Sequence, residues 1–233
     1  MTGPVGPAPV VEAVEVSRSY RLEDVQVTAL DRVSLQIEPG EYLAVLGPSG
    51  SGKSTLMHLL GLLDRPTAGL LRVDGRDVAG LPDRQLAHLR NTTIGFVFQS
   101  FHLLARTTAV DNVALPLVYR GVPARERRRQ ATAALQAVGL GHRLGHRPVQ
   151  LSGGEQQRIA VARALVGAPR ILLADEPTGN LDSRTGAEVM SLIESLNAER
   201  DVAVVVVTHD QDVADRARRR VRMRDGRVES DTR

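Results

Sequence analysis

The nine residues from Gly47 to Thr55, GPSGSGKST, have the types and spacing of a site that holds phosphate. Gly47, Gly50 and Gly52 take backbone conformations closed to other residues. They let the chain through Pro48, Ser49 and Ser51 wrap a concavity lined by N–H groups. Lys53 then reaches the β- and γ-phosphates, Ser54 offers its hydroxyl to Mg²⁺, and Thr55 lies in the first turn of a helix whose positive end faces the same anion. A Gly/Ser linker has similar letters. Linkers, however, are not flanked by a buried-strand run, Tyr42 to Leu46, and a helix-like run, Leu56 to Leu63.

Two further stretches carry chemistry. In Ile171 to Pro177, ILLADEP, an apolar run ends in adjacent carboxylates. Buried acids are costly unless they bind a metal or meet a cation. At the end of a strand beside the phosphate loop, Asp175 can hold Mg²⁺ and Glu176 can take a proton from, or orient, an attacking water. In Leu151 to Arg158, LSGGEQQR, Ser152 caps a helix start. There Gly153 and Gly154 expose backbone N–H groups, a second site suited to an anion.

These residues need elements to hold them. Alternating runs at Val10 to Ser17 and Val33 to Glu38 read as strands, the second leading through the turn Pro39-Gly40 into the strand Tyr42 to Leu46. Leu70 to Val73, Ile94 to Phe98, Ile171 to Asp175 and Val202 to Val207 read as further strands. A last strand pair surrounds Asp225-Gly226. Leu81 to Arg90 and Arg184 to Glu199 read as helices. Between Phe101 and Pro169 the pattern is helical, with breaks at Pro116, Pro123, Gly139 and Pro148, and suggests a helical subdomain (101–169) inserted into an α/β core (10–100 and 170–233). Residues 1–9, rich in Pro and Gly, read as a disordered tail. Strands alternating with helices imply a largely parallel sheet with ligands at its C-terminal ends.

Composition narrows the function classes. The longest apolar run, Val202 to Val207, falls far short of the roughly 18 residues that span a membrane. The first residues have no basic-then-apolar leader, so export is not expected. The absence of cysteine excludes disulfides and thiolate metal sites. A net charge of +3 arises largely from arginine clusters at 125–129 and 216–222. With few aromatic residues among them they read as solvated helix faces, so no nucleic acid is expected as a partner. Lys53 is the only lysine in the chain.

Taken together, the motifs resemble the ATP-binding subunit of ABC transporters over practically the whole length. LSGGEQQR looks like that family's signature, Gly47 to Ser54 its Walker A and Ile171 to Glu176 its Walker B. Gln99 matches the Q-loop glutamine, Asn180-Leu181-Asp182 the D-loop and His209, in VVVVTHD, the switch histidine. Tyr20 stands where the family stacks an aromatic ring on adenine. GFVFQSFHLL (95–104), DNVALPL (111–117) and ADEPTGNLDS (174–183) are similar to the LolD and MacB type.

The resemblance implies a P-loop NTPase fold with a mostly parallel core sheet, N-terminal antiparallel strands and the inserted helical subdomain. It also implies ATP and Mg²⁺ as cofactors, with Ser54, Gln99 and Asp175 around the metal and Glu176, His209 and Gln99 catalytic. Two copies would dimerise on ATP, the signature of one (Ser152, Gly153, Gly154) meeting the γ-phosphate held by the other. A separate membrane permease would dock beside Gln99, near Phe101 to Ala105, on the cytoplasmic face of the cell membrane. The alternatives are an FtsE-like regulator of a membrane partner and a soluble ABC ATPase acting on DNA or ribosomes. Against the last, neither a long coiled coil nor a second ATPase domain is present.

Overall fold

The apolar runs form two sheets in the computed structural model, which describes residues 8–22 and 25–232. The elements in chain order are β1 (Val11–Leu22), β2 (Val25–Ile37), β3 (Tyr42–Leu46), α1 (Lys53–Leu60), β4 (Ala68–Val73), β5 (Arg76–Asp77), α2 (Asp83–Thr93) and β6 (Ile94–Phe98). They continue with α3 (Ala109–Tyr119), α4 (Ala124–Ala137), α5 (Gly153–Leu165), β7 (Ile171–Asp175), α6 (Ser183–Arg200), β8 (Ala203–Val207), α7 (Gln211–Ala214), β9 (Arg219–Arg224) and β10 (Arg227–Thr232). Most of the tail expected at 1–9 lies outside the described residues.

The first sheet, in the order β2-β1-β4-β5, is antiparallel. The second runs β10-β9-β3-β8-β7-β6, parallel from β9 to β6 with β10 antiparallel at its edge. Its central strands are apolar on both faces because both faces are covered. On β7, Ile171 and Leu173 enter a core shared with α1, α2 and the antiparallel sheet, whereas Leu172 and Ala174 enter a core shared with α3, α5 and α6. Strand β8 divides in the same way: Ala203, Val205 and Val207 on one side, Val204 and Val206 on the other. This alternation fixes the direction in which each strand delivers its last residues. Among the described residues no helix is long and apolar enough to cross a membrane.

Three local readings are corrected. The first strand extends past Ser17 to Leu22, so Tyr20 lies within it, paired with Val27. Pro116 does not break α3; the helix runs on to Tyr119 while Val113 stays in the second core and Leu117 stays buried, so packing outweighs the lost backbone bond. The 216–222 arginine cluster is not a helix face. Most of it lies on β9, whose residues alternate buried and exposed, and Arg219 points inward to pair with Glu41 at 3.0 Å and Asp231 at 2.5 Å. Two carboxylates offset the cost of burying that guanidinium and raise its pKa further.

Candidate nucleotide site

Parallel pairing brings the chemically suggestive residues to one edge. In register, Val45 on β3 faces Val207 on β8, Val207 faces Asp175 on β7, and Asp175 faces Phe98 on β6. The residues that follow therefore emerge side by side: the glycine-rich loop after β3, Thr208 and His209 after β8, Glu176 after β7 and Gln99 after β6. This is the strand-end position at which α/β sheets bind ligands.

The loop is shaped by close approach as well as by φ. Gly52, at φ +96°, precedes α1, and a Cβ there would stand 2.6 Å from the Ala29 carbonyl oxygen. At Gly47 a Cβ would collide with the Met223 carbonyl. A loop this tightly seated between β2 and β9 keeps its curvature without a ligand. Lys53 crosses the concavity, its Nζ donating to the carbonyls of Gly47 and Pro48, each at 2.8 Å. Pro48, Ser49, Gly50 and Ser54 are exposed, Thr55 is half-buried, and Ser51 is buried beneath them.

Asp175 and Glu176 differ because the strand ends between them. Asp175 continues the β7 alternation onto the α1 side and makes no side-chain hydrogen bond among the described residues. Burial first and the Glu176 charge second hold its carboxyl above the ordinary value, while the His58 and Lys53 cations act the other way. A half-buried carboxylate with no donor is suited to a cation. The described residues hold no cluster of three or more His, Cys, Asp or Glu able to bind a metal alone. An ion here would draw its other oxygens from hydroxyl or amide groups and from a bound ligand, as Mg²⁺ does with phosphates.

Glu176 adopts φ +45°, a conformation costly for a side chain of this kind. Its N–H is held by the Val207 carbonyl at 2.9 Å. One carboxylate oxygen accepts from the His209 N–H at 3.1 Å and lies 2.7 Å from His209 Nδ1; the other accepts from Thr208 Oγ1 at 3.3 Å. That hydrogen bond, and then the Glu176 charge, raise the His209 pKa above the usual imidazole value. The stabilisation from this pair is present in full below the unfolded imidazole value and is lost as pH rises through the raised folded one. In a pH titration followed by ring NMR, Glu176→Gln should move the His209 midpoint downward. An unchanged midpoint would show that the pair does not form in solution.

Gln99 is exposed and clasped to Asn180: its Nε2 donates to Asn180 Oδ1 at 3.3 Å, and Asn180 Nδ2 donates to the Gln99 carbonyl at 3.0 Å. Behind them Gln157, fully buried, donates to the carbonyls of Phe98 and Pro177. It thus ties α5 to the segments carrying Gln99 and Glu176. Sequence reasoning passed over Gln157 and Thr208, since one is a letter within a helix start and the other a residue before a histidine. The position of Thr208, directly after a wholly buried strand, was the available signal.

Ser152 caps α5, its Oγ accepting from the Glu155 N–H at 3.2 Å while Glu155 reaches back to the Ser152 N–H at 2.9 Å. This turn does not meet the phosphate loop. It packs on the far side of β7, where a Cβ at Gly153 would stand 3.3 Å from Leu181 and one at Gly154 would strike Thr185. Tyr20 makes its side-chain hydrogen bond to neither turn; its hydroxyl donates to Asp64, just beyond α1, at 2.9 Å.

A parallel sheet presenting a phosphate loop, a metal-suited aspartate and an adjacent glutamate at one edge defines a nucleoside-triphosphate hydrolase. The ABC transporter family model matches residues 30–179, and the chain belongs to that family, as an ATPase. It is 54% identical over 220 residues to an ABC transporter ATP-binding protein of Thermotoga maritima, covering 94% of both chains. It is 52% identical to the macrolide export ATP-binding/permease protein MacB of Rhodospirillum rubrum, covering 97% of this chain but only 35% of that one. The dimeric structure of MJ0796, a bacterial ABC transporter cassette, superposes with a TM-score of 0.87 at 43% identity, over 96% of this chain and 98% of that one. A post-hydrolysis form of the same cassette, bound to ADP and Pi, matches equally well. These relatives bear out the LolD/MacB type and the α/β cassette fold expected from the motifs.

Proposed function

We propose that two copies of this chain close on two ATP-Mg²⁺ and, on hydrolysis, open to move a membrane permease at the cytoplasmic face. The observation that carries this is the separation of the two anion-suited turns. The phosphate loop rises from β3, while α5 packs against β6, three strand spacings away, or about 14 Å. Ser152, Gly153 and Gly154, at the start of that helix, are therefore set apart from their own loop and are available to meet a γ-phosphate on a second copy. The dimeric assembly named for the MJ0796 cassette supports the same reading.

Within each site, Gly47 to Thr55 wraps the phosphates, Lys53 turns from its own carbonyls to the β- and γ-phosphates, and Tyr20 stacks on adenine. Asp175, Ser54 and Gln99 would hold Mg²⁺, which would supply charge neutralisation on the phosphates. His209 moves from Glu176 to the γ-phosphate, and its departure frees the Glu176 carboxylate to take a proton from the attacking water. Loss of the γ-phosphate removes the contact made by the partner copy's signature turn, and the dimer opens. The helical segment 101–169 carries this change outward from Gln99 as a subdomain of its own.

For the permease, the structure offers a groove of about 820 Å³ beside Gln99, with Phe96 and Phe98 among its lining residues, and Tyr119, 81% exposed, on its rim. Of the segment expected to dock, Leu103 turns into the second core and Leu104 is 49% exposed. The experiment is co-purification from the native membrane. Leu104→Asp and Tyr119→Asp should retain ATP binding and lose most of the membrane partner. Loss of ATP binding with normal co-purification would remove the groove from this role. The names of the MacB relatives, which join ATP-binding and permease functions, support this choice of partner.

A further inference from the structure

The ring of Tyr20 is held by two neighbours that the nucleotide-site motifs do not include. The Arg18 guanidinium carbon lies 4.6 Å from the ring centroid, over one face. Asp64 Oδ2 accepts from the Tyr20 hydroxyl at 2.9 Å, and the same oxygen lies 2.8 Å from Arg18 Nε as an ion pair. The other Asp64 oxygen accepts from the Arg65 N–H at 2.8 Å, which fixes the carboxylate. One acid therefore secures both the edge of the ring and the cation on its face. Arg18 and Asp64 are largely buried, with side chains 22% and 23% exposed.

This assembly stands next to the phosphate loop. Arg18 pairs across the strands with Leu30, and Leu30 lies against Gly52, where a Cβ would come within 2.9 Å of its Cδ2. Tyr20 is two residues further along β1, about 7 Å by strand rise. The ring is half-exposed, and with one face covered by a guanidinium the other is the one suited to a planar partner. Holding the ring before the base arrives removes the ordering cost that a free tyrosine would meet on stacking.

We infer that Arg18 and Asp64 are positioning residues for the adenine base, acting through Tyr20 by fixing its tilt and reserving one face for the nucleotide. The inference rests on the reading that Tyr20 stacks on adenine. The alternative role is structural, joining β1 to the chain after α1.

The test compares ATP with inorganic tripolyphosphate, which has the phosphates but no base, by calorimetry on the full chain. Tyr20→Phe keeps both ring faces and loses only the bond to Asp64, so it separates anchoring from stacking. Tyr20→Phe, Asp64→Asn and Arg18→Gln should each weaken ATP binding about 3–10-fold. KM should rise with kcat unchanged at saturating ATP, and tripolyphosphate affinity should not change. Combining Asp64→Asn with Tyr20→Ala should add nothing to Tyr20→Ala alone.

If tripolyphosphate affinity falls in step with ATP, the two residues are structural and the inference is overturned. It is also overturned if Tyr20→Ala weakens ATP binding while Tyr20→Phe, Asp64→Asn and Arg18→Gln all leave it as in the wild type; stacking then stands without positioning. A Tyr20→Ala chain that binds ATP normally would remove the stacking reading itself, and the inference with it.

Discussion

Glu176→Gln should lower steady-state ATP hydrolysis by about 10²–10⁴-fold, the usual contribution of a positioned general base, and leave ATP binding close to that of the wild type. The amide keeps the shape of the side chain and can still accept from the His209 N–H and from Thr208. It cannot take a proton from water. Binding persists because the contacts of Glu176 lie with β8, at 3.1 Å to the His209 N–H, and not within the phosphate loop. Phosphate release measured beside equilibrium nucleotide binding separates the two effects. Hydrolysis at the wild-type rate would remove Glu176 from the catalytic role. The strained φ of this residue would then serve only the turn into Pro177.

The second large effect concerns Lys53. Its Nζ sits between the carbonyls of Gly47 and Pro48, a space that takes a compact ammonium and does not fit a planar guanidinium fork. Lys53→Arg should therefore abolish measurable hydrolysis, by about 10²-fold or more if the loss resembles that of other transition-state charge contacts. The chain has no other lysine, so amine-reactive labelling reports on this side chain and the α-amino group alone. ATP-Mg²⁺ should shield Lys53 by covering it with the β- and γ-phosphates. AMP should shield it less, and the N-terminus should not change. Equal labelling with and without saturating ATP would contradict the assignment of the phosphates to this loop.

How much of this was legible beforehand depended on whether a residue's role is local. The loop, Asp175, Glu176 and His209 each follow an apolar run, and in a parallel sheet strand ends collect at one edge, so chain order alone pointed to their convergence. The strands β3, β6 and β7 were placed to the residue for the same reason. Arg219 misled because a run of arginines carries no sign of Glu41, in the turn before β3, and Asp231, on β10, which both meet it. Pro116 misled because the propensity against proline in a helix is a local term, while Val110 and Val113 anchor α3 through distant neighbours. The Arg18, Tyr20 and Asp64 assembly and the buried Gln157 were invisible for a related cause. Their partners lie 44 or more residues away for Tyr20 and Asp64, and on two separate strand ends for Gln157.

The central claim is that each ATP is held by the loop of one copy and the signature turn of another. It is tested most directly by the mass of the Glu176→Gln chain in solution, which hydrolysis cannot reset. Without nucleotide, light scattering should give the monomer, 25.2 kDa. With ATP-Mg²⁺ it should give twice that mass. Adding Ser152→Arg, which blocks the signature turn of each copy but leaves every loop intact, should return the mass to 25.2 kDa while ATP remains bound. A monomer with ATP bound to the Glu176→Gln chain, or a dimer indifferent to Ser152→Arg, would contradict the composite site.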